Sequence, residues 1–357
     1  MPNNDILPIV PMPSDDRQLR VVICMSGTGS NAETLLERAA NAALAYRVEC
    51  LFTDSPDSSR CVELGKKYGI PVASLDIRKF YLEHGEEDIK LNTPRRRELR
   101  ELWTEAVWNI LEPYKCDFAV FAGFVPLTNL PSKIPCLNVH PGDLTIEKDG
   151  VRIYAGLHCL PVERAVLDGR ALRSSVILVQ GYSGNGEKDL DGGPILGISP
   201  QVPVDLEGFS LEKLAEIKAA RKNPPFKDEL RQIALKSIEL LKIGGDHVVL
   251  PQTVDCFASG RYGRNAQGNL FFKDENGRWI PVETVEFFPD KAPVPRKKTD
   301  IMKRSANKFV RFCKFMYTKM VRDKGSPDYI ARGWALGMFI GCVIPVFCLY
   351  PCGGSGV

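Results

Sequence analysis

The sequence predicts a doubly wound α/β fold on a mostly parallel sheet, followed by a hydrophobic helical tail. Three observations carry this expectation. From residue 19 short β-rich runs alternate with helical stretches, the first strand-to-helix junction is rich in glycine, and the last stretch of the chain is apolar and free of charge. Regular alternation of this kind builds right-handed βαβ units, whose helices cover both faces of a parallel sheet.

The elements follow in order. LRVVICM (19–25) is a strand, NAETLLERAANAA (31–43) a helix, VECLFTD (48–54) a strand, RCVELGKKYG (60–69) a helix and IPVASL (70–75) a strand. Thr93–Leu111 has apolar residues at three- and four-residue spacing (Leu99, Leu102, Trp103, Ala106, Val107, Ile110, Leu111), which predicts a long helix with one stripe on the sheet. DFAVFAGF (117–124) and CLNVH (136–140) are the next strands, and Pro141-Gly142 turns the chain after the second. A helix around Leu160–Leu167, a strand at 174–180, a glycine-rich loop at 181–193 and a strand at 195–204 follow. Helices are expected at 210–221 and 227–242, and the Asn-Gly turn within 269–282 predicts a closing hairpin. At Asp290 the texture changes to Pro and Lys. The expected organisation is therefore a flexible leader at 1–18, a catalytic domain at 19–289, a linker at 290–300 and a tail at 301–357.

Composition narrows the partners. The 357 residues are 44% hydrophobic and 25% charged, as in globular proteins. The net charge of +3 is unevenly spread: residues 291–332 carry +10, so residues 1–290 carry −7 and would repel a nucleic acid. The first eighteen residues lack the basic start and apolar core of a signal peptide, so a cytoplasmic location with reduced thiols is expected. Cys24, Cys50, Cys116 and Cys136 lie in apolar runs, where cysteine acts as a small hydrophobe. The chain has no CxxC pair, and its four histidines have no ligand spacing, so no metal is expected.

Two constellations bear on chemistry. Ser26-Gly27-Thr28-Gly29-Ser30-Asn31 lies where the first strand hands over to the first helix, a place where backbone N–H groups converge on an anion. Residues 27–32 also fit the dinucleotide pattern G-x-G-x-x-A, with Asp54 as a ribose partner, so this loop alone leaves nucleotide binding, phosphate binding and a plain tight turn open. Asn138-Val139-His140-Pro141 is more informative. Residues two apart on a strand leave the same side of the sheet, so Asn138 and His140 point together into the carboxyl-end crevice where open α/β sheets bind ligands. Asp191, in the turn Leu190-Asp191-Gly192-Gly193-Pro194, is by itself a solvated turn residue; read with Asn138 and His140 it can supply the carboxylate that holds an imidazole and stabilises imidazolium, while the Asn138 amide donates to an oxyanion. Acyl transfer needs those three roles, and no Ser or Cys nucleophile if the attacking group is the substrate's own amine.

SGTGSN (26–31), AGF (122–124), NVHPG (138–142), AGLH (155–158), LDGGP (190–194) and GDHVVLPQTVDCFASGRY (245–262), in this order and spacing, resemble the folate-dependent formyltransferases over residues 19–285. The likeness is greatest to their purine-biosynthetic branch. This resemblance implies a Rossmann-like fold, 10-formyltetrahydrofolate as donor and a primary amine on a phosphorylated acceptor, glycinamide ribonucleotide first. It further implies that Asn138 stabilises the oxyanion, that His140 is the general acid or polarising group, and that Asp191 tunes His140 and relays protons through water. Gly27, Thr28, Gly29, Ser30 and Asn31 would hold the acceptor's phosphate and Asp246 its amine end. Phe124, Val125, Pro126 and Leu127 would line the pterin pocket.

The chain departs from the family's pattern in places. PGDLTIEKDGVRIYA, between His140 and Gly156, is longer and more charged than the family's short Pro-rich loop, which makes Lys148 and Arg152 candidates for meeting a different substrate. Pro126 stands where a long basic side chain is common, Ile177 where a second histidine is common, and residues 181–189 expand the loop before Asp191. His158 is a candidate supporting residue, His247 sits near a helix end, and His84 is expected to be exposed. Residues 301–324 mix aromatic and basic side chains as in a helix that lies on an anionic membrane surface. Residues 327–345 resemble the start of a small bacterial membrane-associated domain, which leaves two readings of the tail open: attachment of residues 301–350 to the inner face of the cytoplasmic membrane, or a soluble docking helix or frayed end.

Overall fold

A nine-stranded mixed sheet forms the centre of the described residues. The structure is a computed structural model and describes residues 6–11, 17–157, 159–182 and 191–297. The chain divides into two units at residues 297 and 298, and the second lies wholly outside the described residues, as do the expectations for the tail. In chain order the sheet's strands are β1 (Leu19–Cys24), β2 (Tyr46–Thr53), β3 (Val72–Ser74), β4 (Phe118–Phe121), β5 (Cys136–His140), β6 (Ser175–Leu178), β7 (Ile195–Ile198), β8 (Thr284–Phe288) and β9 (Lys291–Arg296). They lie in the order 9-8-7-6-5-4-1-2-3. Pairs 1-2, 2-3, 1-4, 4-5 and 7-8 are parallel, while 5-6, 6-7 and 8-9 are antiparallel. The chain runs outward from β1 to β3, returns, and continues on the other side through β4. The reversal between β1 and β4 is the switch point at which such sheets bind ligands.

Alternation along the strands sorts side chains to two faces. Val21, Ile23, Val120, Leu137 and Val139 pack with α1 (Ser30–Asn41) and α2 (Cys61–Tyr68) on one face. Val22, Cys24, Cys50, Ala119 and Cys136 pack on the other with α3 (Ile77–Glu83) and α4 (Pro94–Leu111). The buried cysteines do fill apolar space, and burial pushes the Cys24 and Cys136 thiols well above their usual range. On α4 the stripe is narrower than the periodicity implies: Leu99, Trp103, Val107 and Leu111 are buried, Leu102 is exposed, and Arg100 is buried instead. Asp76 caps α3, accepting from the N–H groups of Arg78 (2.8 Å) and Lys79 (2.9 Å), in a short helix that apolar periodicity alone does not reveal.

The second half adds α5 (Leu160–Leu167), α6 (Leu211–Ala219), α7 (Glu229–Leu241) and α8 (His247–Ala258). A five-residue π-helical turn, Lys242–Asp246, joins α7 to α8 and presents Asp246 to the interior. Val249, Leu250, Val254 and Phe257 of α8 complete the core on the α1 face.

Two boundaries differ from expectation. The 1–18 segment is not a free leader throughout: Leu7–Pro8 pairs antiparallel with Tyr262–Arg264, and Val10 is buried. The run Ile6–Val10 is apolar enough to bury once an unpaired strand edge is offered. That edge belongs to a small sheet containing the hairpin Leu270–Lys273 and Trp279–Pro281. The 290–300 linker begins as β9, paired with β8 from Phe288↔Lys291 to Thr284↔Arg296. Its prolines, Pro293 and Pro295, are compatible with pairing because β9 is the sheet's edge. Among the described residues no helix is long and apolar enough to cross a membrane.

Candidate active site

The carboxyl ends of β1, β4 and β5 meet at the switch point. Asn138 and His140 close β5, opposite Ile177 and Ser175 of β6. Leu137 and Val139 face the α1 side, so Asn138 and His140 project to the other. Buried His140, only 3% exposed, places Nε2 2.7 Å from the carbonyl of Tyr154 and Nδ1 3.2 Å from Oδ1 of Asp191. A carbonyl can only accept, so Nε2 carries a proton and donates it. The carboxylate on the other side faces Nδ1, so the ring bridges a backbone acceptor and an acid through its two nitrogens.

Asp191 is held from three directions. Its Oδ2 accepts from the N–H of Gly156 (3.0 Å), its carbonyl accepts from Arg152 Nη1 (2.5 Å), and Arg152 Nη2 donates to the carbonyl of Gly193 (2.7 Å). Burial works to raise the pKa of Asp191, but the His140 hydrogen bond and charge, the Gly156 N–H and the Arg152 charge outweigh it and leave the carboxyl below its ordinary value. The carboxyl is therefore kept ionised inside a partly buried cleft.

Asn138 and Asp191 line a cleft of about 90 Å³ whose other walls include Phe121, Phe124–Thr128, Ile177, Val179 and Tyr182. All four predicted pocket residues, Phe124, Val125, Pro126 and Leu127, are on this wall. Their loop is fixed through its backbone, since the Val125 N–H donates to Ser26 Oγ (2.9 Å) and buried Arg100 donates to the carbonyl of Leu127 (2.7 Å). His140 lies behind Asp191.

The loop at residues 26–31 enters α1 through Gly29, whose φ of 71° and close approach to Met25 exclude a side chain. Gly27 and Thr28 are exposed, and no atom stands within 4 Å of a Cβ placed on Gly27, which leaves room at the helix N-terminus. Asp54 is occupied as a strut, accepting from Ser26 Oγ (2.5 Å) and Ser55 Oγ (3.2 Å). Asn31 Nδ2 donates to Asp246 Oδ2 (2.9 Å), and Ser174 Oγ to Asp246 Oδ1 (2.5 Å). Burial raises the Asp246 carboxyl above its ordinary value, although the Ser174 and Asn31 bonds and the charges of His247 and His140 pull the other way. The structure thus joins Asn31 of the first motif to Asp246 of the last.

Several groups at the site had no signal in the sequence. The Tyr154 carbonyl and the Gly156 N–H are backbone atoms, which any residue type supplies. Gly142 did carry a signal, in the Pro-Gly turn, but its second role is steric: a Cβ there would stand 2.5 Å from the Tyr154 carbonyl oxygen and 2.9 Å from His140 Nε2. Tyr182 lines the cleft with its hydroxyl donating to Glu101 and its N–H to Asn129 Oδ1 (2.9 Å). Of the other histidines, His84 is exposed and stacked on Phe80, and burial lowers the pKa of half-buried His247. His158 and residues 183–190 lie outside the described residues. Among the described residues no cluster of ligating side chains could hold a metal ion.

No family model and no curated protein matches the chain. Solved structures similar to it include the phosphoribosylglycinamide formyltransferase of Anaplasma phagocytophilum, at 18% identity and a TM-score of 0.47, over 77% of this chain and 100% of that one. Glycinamide ribonucleotide transformylase 1 of Symbiobacterium toebii is similar at 19% identity and a TM-score of 0.45, over 74% and 94%. The phosphoribosylglycinamide formyltransferase of Bacillus halodurans is similar at 26% identity and a TM-score of 0.39, over 62% and 95%.

Proposed function

We propose that this chain transfers a formyl group from 10-formyltetrahydrofolate to the primary amine of a phosphorylated acceptor, with glycinamide ribonucleotide the favoured acceptor. The observation that carries this reading is that Asn138 and Asp191 share the wall of one cleft, with Asp191 backed by His140, which also meets the Tyr154 carbonyl.

The chemistry follows from these groups. The acceptor amine attacks the formyl carbon and the carbonyl oxygen becomes an oxyanion, to which the Asn138 carboxamide donates. Asp191 takes the proton that the amine loses, through water, and passes it to the departing folate nitrogen, so protons balance. The His140 Nδ1 beside Asp191 orients that carboxylate and favours its ionised form. Phe121, Phe124, Ile177 and Val179 suit the flat pterin of the donor, and the Gly27–Asn31 loop suits a phosphate monoester.

The test is turnover by the purified full chain with 10-formyltetrahydrofolate and a panel of phosphorylated amines, read by mass spectrometry of the formylated product. Formylation of glycinamide ribonucleotide is expected. Preference for a nucleotide-linked amino sugar would move the acceptor within the same chemistry, and donor loss without any amine would make the protein a formyl hydrolase. Binding of reduced nicotinamide with no binding of folate would replace the reading altogether.

A further inference from the structure

We propose that Arg152 is a positioning residue that fixes the Asp191 turn against His140, which makes the hairpin Glu147–Arg152 a clamp on the catalytic carboxylate and not a substrate-recognition loop. This rests on the formyl-transfer reading for its rate consequences, although the positioning itself can be measured without substrate.

The argument begins with backbone conformation. Asp191 has φ 52°, in the left-handed region that a non-glycine residue enters at a cost and keeps only if its surroundings over-determine it. Gly193, two residues on, has φ 102°, and a Cβ there would lie 2.1 Å from the Leu178 carbonyl oxygen. Between them the guanidinium of Arg152 bridges the two carbonyls, Nη1 to Asp191 and Nη2 to Gly193. A planar fork fixes the separation and orientation of both acceptors, whereas the ammonium of lysine is a point donor. Arg152 is only 20% exposed at its side chain, and with these nitrogens committed inward it is poorly placed to recognise a phosphate.

The same short segment makes two further ties to the site. Tyr154 accepts from His140 Nε2, and Gly156 donates to Asp191 Oδ2. Residues 152–156 therefore hold both members of the His140–Asp191 pair at three points, and the hairpin pairs Glu147 with Arg152 and Lys148 with Val151 to anchor that segment at its start. The charged groups facing the pair are Arg152 on Asp191, Glu147 at 3.8 Å from Arg152, and Asp246 near His140. Among these, Arg152 holds the turn through its backbone as well as through its charge.

The experiment compares the full chain with Arg152→Met and Arg152→Lys, by NMR of the His140 ring nitrogens without substrate and by kcat and KM across pH. In Arg152→Met the protected Nδ1–H signal of His140 should broaden or vanish, kcat should fall about tenfold or more, and both KM values should stay within about twofold. The acid limb of kcat should move to higher pH, because loss of the Arg152 charge makes Asp191 easier to protonate. Arg152→Lys should return that limb toward wild type while kcat stays depressed, since charge is restored and the fork is not. An unchanged His140 signal in either variant overturns the proposal, and so does a tenfold rise in acceptor KM with kcat intact. If Arg152→Met does not fold, Arg152→Lys alone decides by the same His140 signal. A wild-type chain that forms no formylated product would refute the functional reading, while the NMR comparison would still decide the role of Arg152.

Discussion

Gly142→Ala offers a sharp test of how His140 is held. Gly142 has no positive φ, so alanine is acceptable to the backbone and the substitution acts through its single added methyl. That methyl would stand 2.5 Å from the Tyr154 oxygen, about 0.9 Å inside ordinary contact, and 2.9 Å from His140 Nε2. These two atoms are the two ends of one 2.7 Å hydrogen bond, so the methyl is relieved only by parting them. Overpacking of this kind costs roughly 1–3 kcal/mol, and a broken hydrogen bond to a charged group about 1.5–3 kcal/mol. The two costs overlap, because parting the atoms relieves the clash, so about 2–4 kcal/mol of lost stability is expected. A shift approaching 1 Å at the imidazole should lower kcat by about 10²-fold. Urea unfolding gives the first quantity and steady-state formyl transfer the second. A variant with wild-type kcat and a stability loss under about 0.5 kcal/mol would show that the Tyr154 carbonyl does not fix His140.

Other outcomes follow from the same geometry. His140→Ala and Asp191→Asn should each lower kcat by at least about 10²-fold with little change in acceptor KM, as measured in the formyl-transfer assay. The folded-state pKa of Asp191 is depressed, so its ionised form contributes stability above the ordinary value of 3.8 that is lost as pH falls through the lower folded value. The stability gap between wild type and Asp191→Asn should accordingly be open at about pH 5 and close below it in acid titration followed by circular dichroism. Asn31→Ala, which frees Asp246 from one of its two donors, should raise acceptor KM about tenfold and leave donor KM unchanged in initial-rate measurements. Glu286 is buried between Arg173 and Arg296, and Glu286→Gln should cost roughly 3 kcal/mol in denaturant unfolding, because both guanidinium groups lose this carboxylate while Arg173 keeps a second one, Asp143 at 3.9 Å.

Much of the fold was legible in the sequence because it is written in local rules. The 3.6-residue stripe of α4, the short continuous apolar runs of β1 and β4, and the glycine at the entry to α1 each follow from side-chain pattern or backbone sterics within a few residues. The errors lie where a segment's state depends on a distant partner. Leu7–Pro8 and Lys291–Arg296 carry leader-like and linker-like composition, and each becomes a strand because an unpaired edge remote in sequence accepts it. Arg100 sits in what the periodicity marks as a polar position, and it is buried because the carbonyls of Ile89 and Leu127 converge on it.

For the site the division is similar. Side-chain identities and spacing singled out Asn138 and His140, since an amide and an imidazole two apart on a strand must share a face, and Asp191 joined them only when read with that pair. What holds them was decided by tertiary structure: the Tyr154 carbonyl, the Gly156 N–H and the fork of Arg152 act on the pair from a loop whose length and charge pointed toward a substrate. Backbone donors and acceptors are the same for every residue type, so only their positions in space, fixed by the packing of the whole chain, give them a role.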